Sequence, residues 1–172
     1  MKTLNWRRTD WNGRSFIFSV GQVIVGELTF ASAWNSTATY TDKHTELKFS
    51  QKSFWDSNVA VTRDNKPFGE IYSGLWGEKT LKLVTGERFI LSTSFWEQEV
   101  YWKTAKGETM ITYRQAAMSS MEKGVISING SLATEVEKLL ISSGLFIRQV
   151  ARKRLVRTVA VITPVIAAAS RL

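Results

Sequence analysis

Between residues 2 and 130 apolar and polar positions alternate in short runs. Phe16, Phe18 and Val20 are separated by Ile17 and Ser19, Leu47 and Phe49 are flanked by Glu46 and Lys48, and Leu81 and Leu83 enclose Lys82. A period of two with one apolar face predicts strands packed on one side. The runs are punctuated by turn chemistry at Gly21, Asp42-Lys43, Asp64-Asn65, Thr85-Gly86 and Lys106-Gly107. These residues supply the positive φ angles and side-chain-to-backbone bonds of tight hairpins. Ahead of the five turns stand Trp11, Trp34, Trp55, Trp76 and Trp96, at intervals of 23, 21, 21 and 20 residues. A fixed period of this kind is one structural unit written repeatedly. Five hairpins, a first strand near Leu4–Arg8 and a last near Gly124–Ile128 make twelve strands. Twelve would give only three propeller blades, too few for that fold, so a single closed meander is the better expectation. The ladder tryptophans are then expected to anchor the hairpins as a structural layer of the barrel.

At Ser131 the pattern changes. Ser131 has the character of a helix N-cap, with Glu135 and Glu137 in the first turns, where the helix dipole favours carboxylates. Leu132, Val136, Leu139, Leu140, Ile147 and Val150 follow helical spacing, and Ile141, Leu145 and Phe146 widen the apolar face until it closes round the helix. No charge falls between Leu139 and Ile147. A helix apolar nearly all round must be buried on every side or sit in lipid. A twelve-stranded barrel is too wide for its own side chains to fill. The segment containing Leu139, Leu140, Gly144 and Ile147 is therefore the expected plug, with Gly144 allowing the wall to approach closely. The fold expected is mainly β with a C-terminal helix: a twelve-stranded antiparallel up-and-down barrel of hairpin repeats enclosing a central hydrophobic α-helix. Residues 1–152 form that barrel, with the helix at about 132–152. Residues 153–172 form a basic, then apolar tail, expected to be helical, in which Pro164 would kink or interrupt the run.

Composition changes this picture in two respects. The chain has 172 residues and no cysteine, which removes disulfides, thiolate metal sites and cysteine nucleophiles. Its net charge of +8 is uneven, because Ser131–Leu172 carries seven Lys and Arg against two Glu. A basic end of this kind points to an anionic partner. Arg148, Arg152, Lys153, Arg154 and Arg157 gather beside the uncharged run Thr158–Ala169 and have the character of a polybasic lipid site. That run has twelve residues, short of the roughly 20 needed to span a bilayer. It is expected to pack on the barrel, on a protein partner or on a second copy, with filling of the barrel in place of Leu139–Ile147, or insertion in a membrane, as the alternatives. The residues Met1–Arg8 lack the apolar stretch of a secretory signal, so a cytoplasmic location is expected, with peripheral contact at a membrane.

Catalytic constellations are sparse. His44 is the sole histidine and falls in a hairpin turn, so neither a metal centre nor a His-dependent triad is expected. Glu97 and Glu99 share one strand face at a spacing that suits a solvated surface better than an acid–base pair. No glycine-rich phosphate loop is present. An enzyme, a cofactor and a metal are therefore not expected. Trp102, Lys103 and Arg114 could in principle stack and neutralise single-stranded nucleic acid, a use that ranks below the lipid and protein-docking readings.

The hairpin series Trp11–Gln115, with units such as Val59–Ile71, and the apolar segment Glu135–Arg148 in the place of a core helix together resemble the tubby C-terminal-like superfamily. Plant LURP-one-related proteins and phospholipid scramblases belong to that group. The resemblance covers roughly residues 2–152 and implies a twelve-stranded barrel wrapped round a hydrophobic helix, with lipid or phosphoinositide contact as the associated activity. The scramblase calcium-binding segment and cysteine-rich stretch have no counterpart here.

Overall fold

A computed structural model describes residues 1–32, 37–51, 58–74, 78–94, 99–116 and 121–169, except for the side chains of Ser94 and of residues beyond Lys153. Twelve antiparallel strands close into one barrel in which every strand pairs with its sequence neighbours and β1 pairs with β12. In chain order they are β1 (Lys2–Arg8), β2 (Ser15–Val20), β3 (Val23–Phe30), β4 (Ala38–Thr41), β5 (Glu46–Gln51) and β6 (Val59–Arg63). They continue as β7 (Lys66–Ser73), β8 (Lys79–Leu83), β9 (Arg88–Ser94), β10 (Glu99–Thr104), β11 (Thr109–Gln115) and β12 (Lys123–Ile128). A single helix, α1 (Thr134–Ala169), follows.

The five expected turns join β2 to β3, β4 to β5, β6 to β7, β8 to β9 and β10 to β11. Asp64 and Asn65 have φ of 49° and 64°, the paired positive values a two-residue hairpin of matching twist requires. All five turns lie at one end of the barrel, here the turn end, because an up-and-down meander reverses direction at every strand. The longer connections lie at the other end. Pro67 sits next to a register shift between β6 and β7, where a missing N–H costs the ladder little.

The barrel interior is lined by Leu4, Trp6, Phe16, Phe18, Leu28, Phe30, Leu47 and Phe49 on one arc and by Ile71, Leu81, Trp102, Ile111, Tyr113 and Ile126 on the other, all buried. The helix runs through that interior. Leu139 to Phe146 are buried without a break, Ser142 and Ser143 included, as an apolar helix walled in on every side must be. The two serines return their hydroxyls to the helix backbone, Ser142 to the Lys138 carbonyl at 2.8 Å and Ser143 to that of Leu140 at 3.2 Å. Phe146 is stacked between Phe30 and Phe49, with ring centroids 5.7 and 4.9 Å away. From the opposite wall the Tyr113 hydroxyl donates to the Leu140 carbonyl and lies 3.1 Å from that of Ile141.

Three expectations need correction. Trp11 is not a barrel anchor: it lies in the connection between β1 and β2 and is 77% exposed, while Trp34, Trp55, Trp76 and Trp96 lie outside the described residues. Among the described residues the buried indoles belong to Trp6 and Trp102, outside the series. Second, the helix starts at Thr134, so Ser131 is not its cap. The chain leaves β12 with the Asn129 N–H on the Met110 carbonyl and Gly130 at φ 79°, and residues 131–133 carry it from the wall to the axis. Third, the helix neither ends at Arg152 nor breaks at Pro164; its 36 residues form one run.

Candidate functional site

The helix is about 54 Å long at ~1.5 Å per residue, whereas an eight-residue strand spans about 26 Å. It therefore crosses the barrel and leaves by the far mouth, and each mouth has its own polar collar.

At the turn end, Lys2 pairs with Glu137 at 2.5 Å, Arg63 with Glu135 at 3.4 Å and Lys138 with Asp42 at 3.0 Å. Asp42 also accepts the backbone N–H groups of His44 and Thr45 at 2.8 and 2.9 Å, folding the β4–β5 turn over the start of the helix. Burial works to raise the Asp42 pKa, but the His44 N–H and Lys138 outweigh it and hold the carboxyl below its ordinary range. Beside it, burial first and the Asp42 carboxylate second push the Tyr40 phenol upward. His44 is exposed in its turn, as expected.

At the exit end a single buried carboxylate organises the mouth. Glu122 lies 3.2 Å from Arg8, 2.8 Å from the Gln149 amide and 3.9 Å from Arg148, and it also pairs with Arg152. Arg148 bonds to Gln115 as well and lies 5.3 Å over the Trp6 ring. Burial draws the Arg148 pKa down and Glu122 opposes the shift. Lys153 reaches the Ser32 carbonyl at 3.3 Å and stands 3.9 Å over the Phe30 ring. Among the described residues, three guanidiniums therefore share this one carboxylate. Arg152, with its side chain 55% exposed, carries positive charge outward.

Comparison of the chain with protein-family models, with curated proteins and with solved structures gives no match.

Of the cationic residues singled out in the sequence, the fold brings Arg148, Arg152 and Lys153 together at the exit mouth. Arg154 and Arg157 continue the helix beyond the rim, and their side chains lie outside the described residues. Arg148 is spent largely on the collar; Arg152 remains accessible while it pairs. Leu139, Leu140 and Gly144 are buried in the barrel, and Ile147 is partly buried where the helix approaches the mouth. Sequence reasoning missed Glu122, Arg8, Gln115 and Gln149. One signal was available: Glu122 is the sole carboxylate between Glu108 and Glu135, just before a strand that must meet a basic helix.

The side chains of the other constellations are buried or paired within the fold. Trp102 is fully buried and offers no face to a base, Arg114 pairs with Glu99, and Lys103 lies 5.6 Å over the Tyr101 ring. Hydrogen bonds from the Tyr101 hydroxyl, at 2.5 Å, and from Arg114 hold the Glu99 carboxyl below its ordinary pKa, against the effect of burial. A carboxylate held in its charged form is a poor general acid. Glu97 lies outside the described residues. Among the described residues no cluster of three His, Cys, Asp or Glu could hold a metal ion, and no helix is long and apolar enough to cross a membrane.

Proposed function

We propose that the protein is a non-enzymatic barrel that docks on an anionic lipid surface with the end from which its helix emerges. The observation that carries this reading is the exit mouth. Arg8 of β1 and Arg148 and Arg152 of the helix converge on Glu122, and the helix continues outward through Arg154 and Arg157 into the uncharged run Thr158–Ala169. Cations near an anionic bilayer are each worth on the order of 1 kcal/mol, and the uncharged turns beyond them suit the headgroup boundary. The likeness of a helix-filled, twelve-stranded barrel to the tubby C-terminal-like architecture supports the same reading.

The test is co-sedimentation of the full chain with vesicles of phosphatidylcholine alone, with added phosphatidylserine, and with added phosphoinositide. Binding is expected only to the anionic vesicles, weakening as salt rises, and falling further in a variant carrying Arg152→Gln, Arg154→Gln and Arg157→Gln. Equal and negligible binding to all three vesicles removes the proposal. A mass in solution that grows with concentration, and reverts when the chain is cut after Lys153, would favour docking of Thr158–Ala169 on a second copy instead.

A further inference from the structure

The tip of the β2–β3 hairpin stands clear of the barrel wall. The ladder between β1 and β2 stops at Asn5 and Ser19, and β3 pairs with β4 only from Glu27 to Phe30. Residues Val23 to Gly26 therefore have a strand on the β2 side and none on the β4 side. Four exposed aliphatic side chains gather at this tip: Val20, Val23, Ile24 and Val25 are 44%, 66%, 57% and 37% exposed. Beside it runs a groove of about 710 Å³, with Ile24 and Val25 on one wall and Asp42, His44 and Thr134 opposite.

The backbone register identifies what the edge offers. Gly21 and Gln22 make a two-residue turn, so Val20 and Val23 are its closing pair. Alternation along an antiparallel ladder then turns the N–H and C=O of Ile24, the last residue before a bulge at Val25, away from β2, toward the groove. An apolar, β-branched edge with free backbone groups is the feature that sheets normally cover, because it can template the addition of another strand.

We propose that this edge is a peptide-docking site, in which an extended segment of a partner protein, apolar at alternate positions, adds as a strand beside Val23–Gly26 and lays side chains into the groove. The backbone groups select this occupant. A lipid surface leaves the Ile24 N–H and C=O without partners, and a helix satisfies its own backbone groups and offers none to the edge. A second copy meeting edge to edge fits poorly, since a stable dimer buries on the order of 1,200 Å², more than a four-residue edge can supply. A peptide between the edge and the Asp42–His44 wall makes contact on both sides. The recognition mode is strand addition, with affinity from the main chain and selectivity from alternate side chains. The site is at the turn end, opposite the proposed lipid-facing mouth, so either proposal can fail without the other.

The experiment is to pan a random twelve-residue peptide library on the full chain and measure the enriched peptides by titration. Peptides with apolar residues at alternate positions are expected. Ile24→Pro, which removes the edge N–H where a sheet tolerates proline, is expected to weaken them at least tenfold, and Ile24→Val to leave them unchanged. Hydrogen exchange at the Ile24 amide of the native chain should slow on binding, a readout that does not depend on the proline variant folding. Failure to enrich any alternating pattern, or an Ile24 amide that exchanges at the same rate with peptide bound, overturns the proposal. So does a dimer that forms with rising concentration and is lost in Ile24→Pro.

Discussion

The ring of Tyr113 occupies the space in which a side chain at position 144 would stand. An added Cβ on Gly144 would lie against the Tyr113 ring and hydroxyl. That hydroxyl cannot retreat without giving up its bonds to the Leu140 and Ile141 carbonyls, one turn back along the helix. Glycine is needed for the close approach of wall to plug. Gly144→Ala is expected to destabilise the fold by about 1–3 kcal/mol, the usual effect of overpacking a full core. Tyr113→Phe should cost about 1–2 kcal/mol for the lost hydrogen bond, and combining it with Gly144→Ala should give less than the sum, because the ring can then slide. Urea melts of the two single variants and the double variant measure this coupling; strict additivity would show that the contact is not shared.

Phe146 gives a second prediction. It lies nearly parallel to Phe30, at an interplanar angle of 7°, and to Phe49, at 18°, so one helix ring joins two strands that β4 separates. Phe146→Ala removes both stacks and leaves a cavity between wall and helix, with an expected loss of about 3–5 kcal/mol. Phe146→Leu keeps most of the volume and should cost less. Denaturant midpoints of the two variants decide whether stacking geometry or volume matters more.

The strands, turns and plug were legible because each is written locally. Alternation in Leu47–Phe49 and the Asp64-Asn65 turn depend on neighbours in sequence, and the uncharged Leu139–Ile147 stretch identifies itself by having no solvent-facing side. At Trp11 the ladder misled, because a period fixes how often an event recurs, not which way a given side chain faces. Trp11 is in phase with the repeat and exposed; Trp6, in alternation with Leu4, is buried. The exit mouth was half legible. Arg148, Arg152 and Lys153 were visible as a cluster, but Glu122 meets them only because β12 closes against β1 and the helix leaves by the same end. That pairing is set by three-dimensional closure, which no local pattern encodes.

Glu122 is the third prediction. Its side chain is 8% exposed, and those of Arg8 and Arg148 are 13% and 27% exposed, so the cluster is largely out of water. Removing the carboxylate leaves buried guanidiniums facing one another, and Glu122→Gln is expected to cost about 3 kcal/mol, in the range for breaking a buried ion pair. The Gln149 amide, which donates to Glu122, loses its charged acceptor as well. Adding Arg8→Met should recover part of that loss by removing one of the unpaired cations. Thermal melts of the Glu122 variant with and without the second change provide the check, and no recovery would mean that Arg8 is not in the energetic unit.

The turn-end collar yields a prediction in pH. The Asp42 carboxyl has a folded-state pKa below its unfolded value, since the His44 N–H and Lys138 favour its charged form despite burial. A depressed pKa contributes stability that is fully present above the unfolded value, about 4 for Asp, and disappears as pH falls through the folded value. The stability difference between the native chain and Asp42→Asn should therefore be constant from pH 7 to pH 5 and shrink progressively below pH 4. Glu99 is depressed in the same direction by Tyr101 and Arg114, so the Asp42 contribution must be read from the difference between the two chains, not from the native curve alone. Lys138→Met should remove part of the same pH dependence, because Lys138 is the cation on Asp42 at 3.0 Å. Urea unfolding of the three chains at intervals from pH 7 to pH 3 measures it. A difference that grows toward low pH would reverse the sign and show that burial, not the hydrogen bonds, controls Asp42.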